Sequence, residues 1–369
     1  MERPILKPPG SPVEELDTPA LVIDLDAMER NVERVHSFFR NRAAKLRPAA
    51  HSHKTPAIAH RQLAVEGAAS GVAAVSLGEA EAFAQAGVGD ILVTTQIVGA
   101  SKVARACALA RSIALTLVAD DLDSVRALSA AASGAGVAID VLVDAQTHPD
   151  RAGLRLGDAP ALARAVDAAS GLRFAGVFTA GGPLSERDTA ALRARDAQAV
   201  GALLEARRAI EAAGLTVRVA SYGNSTHDYD VPGSAEGITE VRSGAYPLLD
   251  AAHAPHCPHL EPAAMVLATV NGRPEPGRAV TDCGQKAIGR DAGQPVVLGD
   301  GGLVAAANSA EHGLIDSADG AELELAAGDH VWLLPPDVST AFSLHDVAYA
   351  ARGGVVEAVW RVEARGAFA

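Results

Sequence analysis

"IALTLVADDLDSVRALSAAASGAGVAIDVLVDA", residues 113–145, is the stretch on which the fold turns. Two short apolar runs, IALTLVAD and VAIDVLVDA, flank a helix-like segment that closes on Gly, as helix C-caps often do. Neither run alternates polar and apolar residues, which is the signature of a parallel strand buried on both faces. Working outward, the same unit recurs. Upstream, "DILVTTQIV" precedes "SKVARACALARS", "GVAAVS" precedes "LGEAEAFAQAG", and "KLRPAA" precedes "TPAIAHRQLAVEG". Ala20–Ile23 precedes a helix with Met28, Val32, Val35, Phe38 and Phe39 at helical spacing. Downstream, "LRFAGVFTAGG" precedes a long helix through "AQAVGALLEARRAIEAAG", and "LTVRVASYG" and "GITEVRSGAYPLL" close the series. About eight such units over roughly 230 residues match a (β/α)8 barrel, typically ~250 residues long. An open doubly wound sheet is the competing architecture, and the absence of G-x-G-x-x-G after the first strand lowers it.

After about residue 255 the texture changes to strand-like runs broken by Gly, Pro and Asp, such as "AAMVLATVNGRPEPGRAVTDCG" and "AELELAAGDHVWLLPPD". The expectation is an α/β protein: a (β/α)8 TIM barrel over residues 18–252, and a mainly β C-terminal domain built from 253–369 with the arm 1–17. "AAHAPHCPHLE", residues 251–261, reads as the linker, exposed or on the barrel rim.

Of the 369 residues, 49% are apolar and 21% charged, enough for a sizeable core. The net charge of −13 argues against nucleic acid and against an anionic membrane surface. No apolar run approaches the ~20 residues of a spanning helix, and the N-terminus lacks the apolar core of a signal peptide. Three scattered cysteines, Cys107, Cys257 and Cys283, do not make a disulfide framework. The expectation is a cytoplasmic protein without nucleic-acid or membrane partners.

"LRPAAHSHKTP", residues 46–56, ends a strand in His51, His53 and Lys54. Barrel sites lie at the C-terminal strand ends. A lysine there, among apolar neighbours, can serve as a free amine toward carbonyls, although most strand-end lysines are only solvated charges. "YGNSTHD", residues 222–228, offers backbone N–H groups and hydroxyls after another strand, a pattern able to cradle phosphate. A Schiff-base lysine and a phosphate cradle in one barrel suggest pyridoxal 5'-phosphate.

These residues carry a family resemblance that covers nearly the whole chain. "LDTPALVIDLDAMERNV", "LRPAAHSHK", "DRAGLRLG", "GITEVRSGAYPLLD" and "SAEHGLI" together resemble the fold-type III pyridoxal phosphate enzymes of the D-threonine aldolase and D-serine dehydratase group, whose barrel is alanine racemase N-terminal-like. The resemblance implies that Lys54 bears the cofactor, with His53 beside it. It assigns Arg151 to the cofactor's O3′ side, and Gly223, Asn224, Ser225, Thr226, Gly244 and Tyr246 to its phosphate. His53, His227, His312 and His345 are candidate acid–base groups, with His312 in the "SAEHGLI" strand. The implied activity is a lyase, an aldolase acting on a small, D-configured β-hydroxy amino acid. An amino-acid racemase or epimerase, or a D-serine dehydratase-like ammonia-lyase, is the alternative. A homodimer is implied as well.

The sequence also departs from that group. The usual H-x-C or H-x-D metal pair is replaced by Asp337 and Ser339, and a neutral serine is a poor hard-metal ligand. The expectation is therefore no metal at that position, or a greatly weakened site. "GNSTHDYD" is longer and more polar than the group's usual loop, and Ala180 stands at an aromatic position. Cys283 reads as a small buried residue rather than a nucleophile.

Overall fold

The computed structural model describes residues 6–184, 187–223, 226–299 and 301–369. Helices and strands alternate through the first two thirds. In order they are β1 (Ala20–Asp24), α1 (Leu25–Phe39), β2 (Lys45–Pro48), α2 (Pro56–Leu63), β3 (Val72–Ala74), α3 (Leu77–Gln85), β4 (Asp90–Val93), α4 (Ala100–Leu109) and β5 (Ala114–Ala119). There follow α5 (Leu122–Ala135), β6 (Ile139–Asp144), α6 (Ala159–Asp167), β7 (Leu172–Ala180), α7 (Thr189–Ala212), β8 (Val219–Gly223), α8 (Asp230–Ser234) and β9 (Glu240–Ser243). Local chemistry sets the boundaries. Ser76 Oγ accepts the Glu79 N–H to cap α3, and the Glu79 carboxylate reaches back past the cap to accept the Val75 N–H. Asp121 Oδ2 accepts the Ser124 N–H at 2.8 Å to start α5, which ends at Gly136 with φ 67°.

Strands β2 to β9 form one parallel sheet in the order β2-β9-β8-β7-β6-β5-β4-β3. Parallel bridges Leu46↔Ala68 and Ala49↔Ala73 bring its two edges together, giving the expected eight-stranded barrel. Leu92, Val118, Leu142, Ala175 and Phe178 pack as one buried cluster. Gly176 sits at a register shift in β7, where a Cβ would lie 1.9 Å from the Val219 carbonyl oxygen, so only glycine fits.

The rest is mainly β, as read from the sequence: β10 (Ala264–Glu275), β11 (Arg278–Thr281), α9 (Gln285–Ile288), β12 (Val296–Val297), β13 (Leu303–Ala306), β14 (Gly313–Ser317), β15 (His330–Leu334), α10 (Val338–Leu344), β16 (Val347–Arg352) and β17 (Val355–Arg361). They form a sheet ordered β13-β14-β11-β10-β1-β16-β17, with β15 joining β10 and β12. Its core includes Leu16, Ala20, Val22, Leu267, Tyr349 and Val356.

Two readings are corrected. The opening strand β1, taken as the first barrel strand, lies in the second sheet, antiparallel to β10 and parallel to β16. A short apolar strand buried on both faces suits the middle of either sheet, so its composition does not distinguish them. Segment 251–261 is not exposed throughout: Pro255 and Pro258 are, but Cys257 is fully buried, and His256 and Leu260 are buried with it. The chain divides into two compact units, one comprising residues up to Val32, Ser52–Thr55 and Ala245–Arg365, the other Glu33–His51, Pro56–Gly244 and Gly366–Ala369.

Candidate active site

Lys54 belongs to the first unit and has φ 52°, the left-handed region. For a non-glycine residue that conformation costs roughly 1–2 kcal/mol, so neighbouring bonds must hold it. The Lys54 carbonyl accepts the Ala364 N–H at 3.0 Å. Thr55 Oγ1 donates to the His53 carbonyl at 2.6 Å, and the Thr55 N–H donates to His53 Nδ1 at 3.1 Å. An accepting Nδ1 assigns the proton of neutral His53 to Nε2. His53 is fully buried, and Lys54 is only 4% exposed. The Lys54 amine donates to Ser339 Oγ at 2.9 Å. Ser339 lies in the first turn of α10, whose N-cap is Asp337: its Oδ1 accepts the Thr340 N–H at 2.7 Å. Asp250 anchors the same turn, with Oδ2 accepting the Val338 N–H at 3.1 Å and Oδ1 2.7 Å from His253 Nδ1.

In the second unit the candidate cofactor residues gather at C-terminal strand ends. Thr226 Oγ1 lies 3.0 Å from Ser243 Oγ, both buried, after β8 and at the end of β9. Gly223 ends β8; a Cβ there would meet Arg242 Nη2 at 2.4 Å. Arg242 stacks 3.6 Å from the Phe178 ring centroid and donates to Ser221 Oγ and the Thr179 carbonyl. Burial pushes its guanidinium down to about 9, with Glu240 and Asp144 opposing the shift. Arg151 Nε donates to the Gly181 carbonyl at 2.8 Å. Beneath these groups runs a polar chain. Arg47 Nε donates to Glu240 Oε2 at 2.6 Å, Arg47 Nη1 to Asp90 Oδ1 at 3.0 Å, and Ser221 Oγ to Glu240 Oε1 at 2.6 Å. Gln96 Nε2 donates to both Asp120 and Asp144, and burial together with the Asp120 charge raises the Asp144 carboxyl to about 7.

The remaining sequence candidates scatter. Tyr246 is fully buried in the first unit. Gly244 follows β9, while Asn224 and Ser225 lie outside the described residues. His312 is exposed just before β14. His345 is bonded through Nε2 to the Ala287 carbonyl at 2.6 Å, and burial lowers its pKa. Burial pushes the Cys283 thiol up to about 12, far from a reactive thiolate. Two groups escaped the sequence reading as participants: Ser339 as the acceptor of the Lys54 amine, and Ser243 as the partner of Thr226. Ser243 was within reach, since it immediately precedes the Gly244 already singled out.

Residues 23–248 match the family described as alanine racemase, N-terminal domain, and residues 263–351 match the putative serine dehydratase domain. The chain belongs to the alanine racemase N-terminal domain family. This member of the alanine racemase N-terminal domain family is 32% identical over 367 residues to a D-threonine aldolase of Arthrobacter sp, covering 97% of this chain and 95% of the relative. It is 33% identical over 347 residues to a D-threo-3-hydroxyaspartate dehydratase of Delftia sp. (strain HT23), covering 87% and 90%. The crystal structure of D-threonine aldolase from Filomicrobium marinum superposes with a TM-score of 0.93 at 34% identity, over 98% of this chain and 99% of that one.

Pyridoxal phosphate is the cofactor expected of the alanine racemase N-terminal domain family, and the donor chemistry fits it. Lys54 is a buried amine on a strained residue, and, separately, Thr226 and Ser243 are paired buried hydroxyls beside the strand-end Gly223, groups of the kind that cradle a phosphate. The metal that the resemblance attaches to the 337/339 pair does not fit. Ser339 is neutral and receives the lysine amine, and Asp337 caps a helix.

Proposed function

We propose that the chain is a pyridoxal phosphate-dependent lyase, an aldolase acting on a small D-configured β-hydroxy amino acid. The observation that carries this is Lys54: a buried amine on a left-handed residue in the segment that follows β2, held by hydrogen bonds on both sides. Lys54 would bind the aldehyde carbon of the cofactor covalently, with Gly223, Asn224, Ser225, Thr226, Gly244 and Tyr246 toward its phosphate and Arg151 toward its phenolic oxygen. Once bound, the cofactor supplies an electron sink for a bond breaking at the substrate's Cα. Ser339 steadies the lysine amine. His53 carries its proton on Nε2 and so acts as a donor, not a base, while neutral.

His312, exposed in its own chain, is read as an acid–base group offered to the neighbouring subunit of a homodimer. That assignment rests on the family resemblance, and a cytoplasmic location on three scattered cysteines that make no disulfide framework.

The test begins with the purified protein's visible spectrum. The band of lysine-bound cofactor is expected in wild type and absent from Lys54→Ala; a colourless wild type that takes up no added pyridoxal phosphate defeats the reading. Incubation with D- and L-β-hydroxy amino acids should then release glycine and an aldehyde from the D series. Release of ammonia and a keto acid instead would make the enzyme a dehydratase, and inverted substrate a racemase. Mixing inactive Lys54→Ala with inactive His312→Ala should restore part of the activity, because a mixed dimer holds one intact site.

A further inference from the structure

We propose that Asp196, His227 and Asp228 form a binding site for one divalent cation of the zinc or manganese kind. Asp196 projects from α7, and the two others follow β8 in the polar stretch "HDYD" that leads into α8. All three are buried, at 1%, 4% and 0% exposure. Among the described residues they are a group of three whose ligand atoms, one from each, all lie within 4.8 Å of one another. His227 Nε2 is 3.0 Å from Asp196 Oδ2 and 3.7 Å from Asp228 Oδ1. A cation with bonds of about 2.0–2.2 Å brings together donors up to roughly 4.4 Å apart, so small shifts suffice. Imidazole with two carboxylates is a donor set suited to zinc or manganese.

The independent observation is Asp228. Both its oxygens are fully buried and, among the described residues, meet no N–H or hydroxyl donor, their nearest polar neighbour of like kind being the Asp196 carboxylate. Asp196 has the Arg195 guanidinium at 3.3 Å, whereas Asp228 has the His227 ring at 3.7 Å and the neighbouring Asp196 carboxylate, and the attraction of Arg193 is weaker than the opposing effects of burial and Asp196. A buried carboxylate without compensation is costly, and either a proton or a cation must neutralise it. A cation does so while also engaging Asp196 and His227. It would tie the segment carrying Thr226 to α7, so its expected role is to hold that segment in place. Nothing in this site draws on Lys54 or on the cofactor.

The experiment uses the full chain as purified, stripped with EDTA and dialysed against Zn2+ or Mn2+. About one equivalent of one of these should remain, measured by elemental analysis, with a raised melting temperature. Asp228→Asn, folded by circular dichroism, should retain none and show no shift, while Asp337→Asn/Ser339→Ala should retain the full equivalent. If Asp228→Asn does not fold, anomalous diffraction from the zinc-loaded wild type must put a peak between the three side chains. Wild type that retains neither metal, Asp228→Asn that keeps it, or loss of metal only in the Asp337/Ser339 variant overturns the proposal. In the first case a shared proton fills the cluster.

Discussion

Ser339 accepts the Lys54 amine at 2.9 Å, so removing its hydroxyl leaves a buried nitrogen with one acceptor fewer. Ser339→Ala should cost about 1–3 kcal/mol in urea denaturation, and Ser339→Thr should recover most of it. The partnership was hidden in the sequence because the two residues are separated by 285 positions and nothing in "PPDVSTAF" announces a lysine contact. Lys54 itself was legible, since a short motif at a strand end carries it. A second residue-scale outcome concerns His36, fully buried on α1. Burial lowers its pKa to about 4, so the folded protein holds it neutral while the unfolded chain protonates it near 6.5. Its contribution is complete above pH 6.5 and is lost as pH falls toward 4, to a total of about 3 kcal/mol. His36→Gln should flatten that part of the stability–pH curve relative to wild type.

At the scale of elements, helix α5 is bounded by two separable devices. Asp121→Ala removes the cap from the Ser124 N–H, and Gly136→Ala forces a side chain into the left-handed region. Each should cost about 1 kcal/mol. The two ends are ~20 Å apart, so the double variant should show the sum within about 0.5 kcal/mol by denaturant titration. Such elements were readable because unalternating strands, helix periodicity and terminal glycines point to the same unit, repeated. The segment 251–261 was misread in part for a physical reason: Pro and His suggested an exposed corner, but Cys257 and Leu260 are buried. The Thr226–Ser243 pair shows the same limit, because only strand pairing in the barrel brings two hydroxyls 17 positions apart to 3.0 Å.

At the scale of the molecule, the barrel and a mainly β second domain were legible, and the destination of β1 was not. Pairing partners for Val22 are Met265 and Tyr349, contacts that no local pattern encodes. Deleting residues 1–24 should remove the strand between β10 and β16. Limited proteolysis should then cut within residues 264–361 sooner than in wild type, while 56–244 keeps its resistance; unchanged protection of the C-terminal strands would contradict the central role of β1. The same pairing has a consequence for biosynthesis. A ribosome adding about 5–20 residues per second delivers the parallel neighbour of β1 roughly 15–65 s after β1 itself has emerged. Until β10 emerges, about 12–50 s after β1, the nascent chain carries an apolar segment with no native mate, a natural client for a chaperone that shields the leading end.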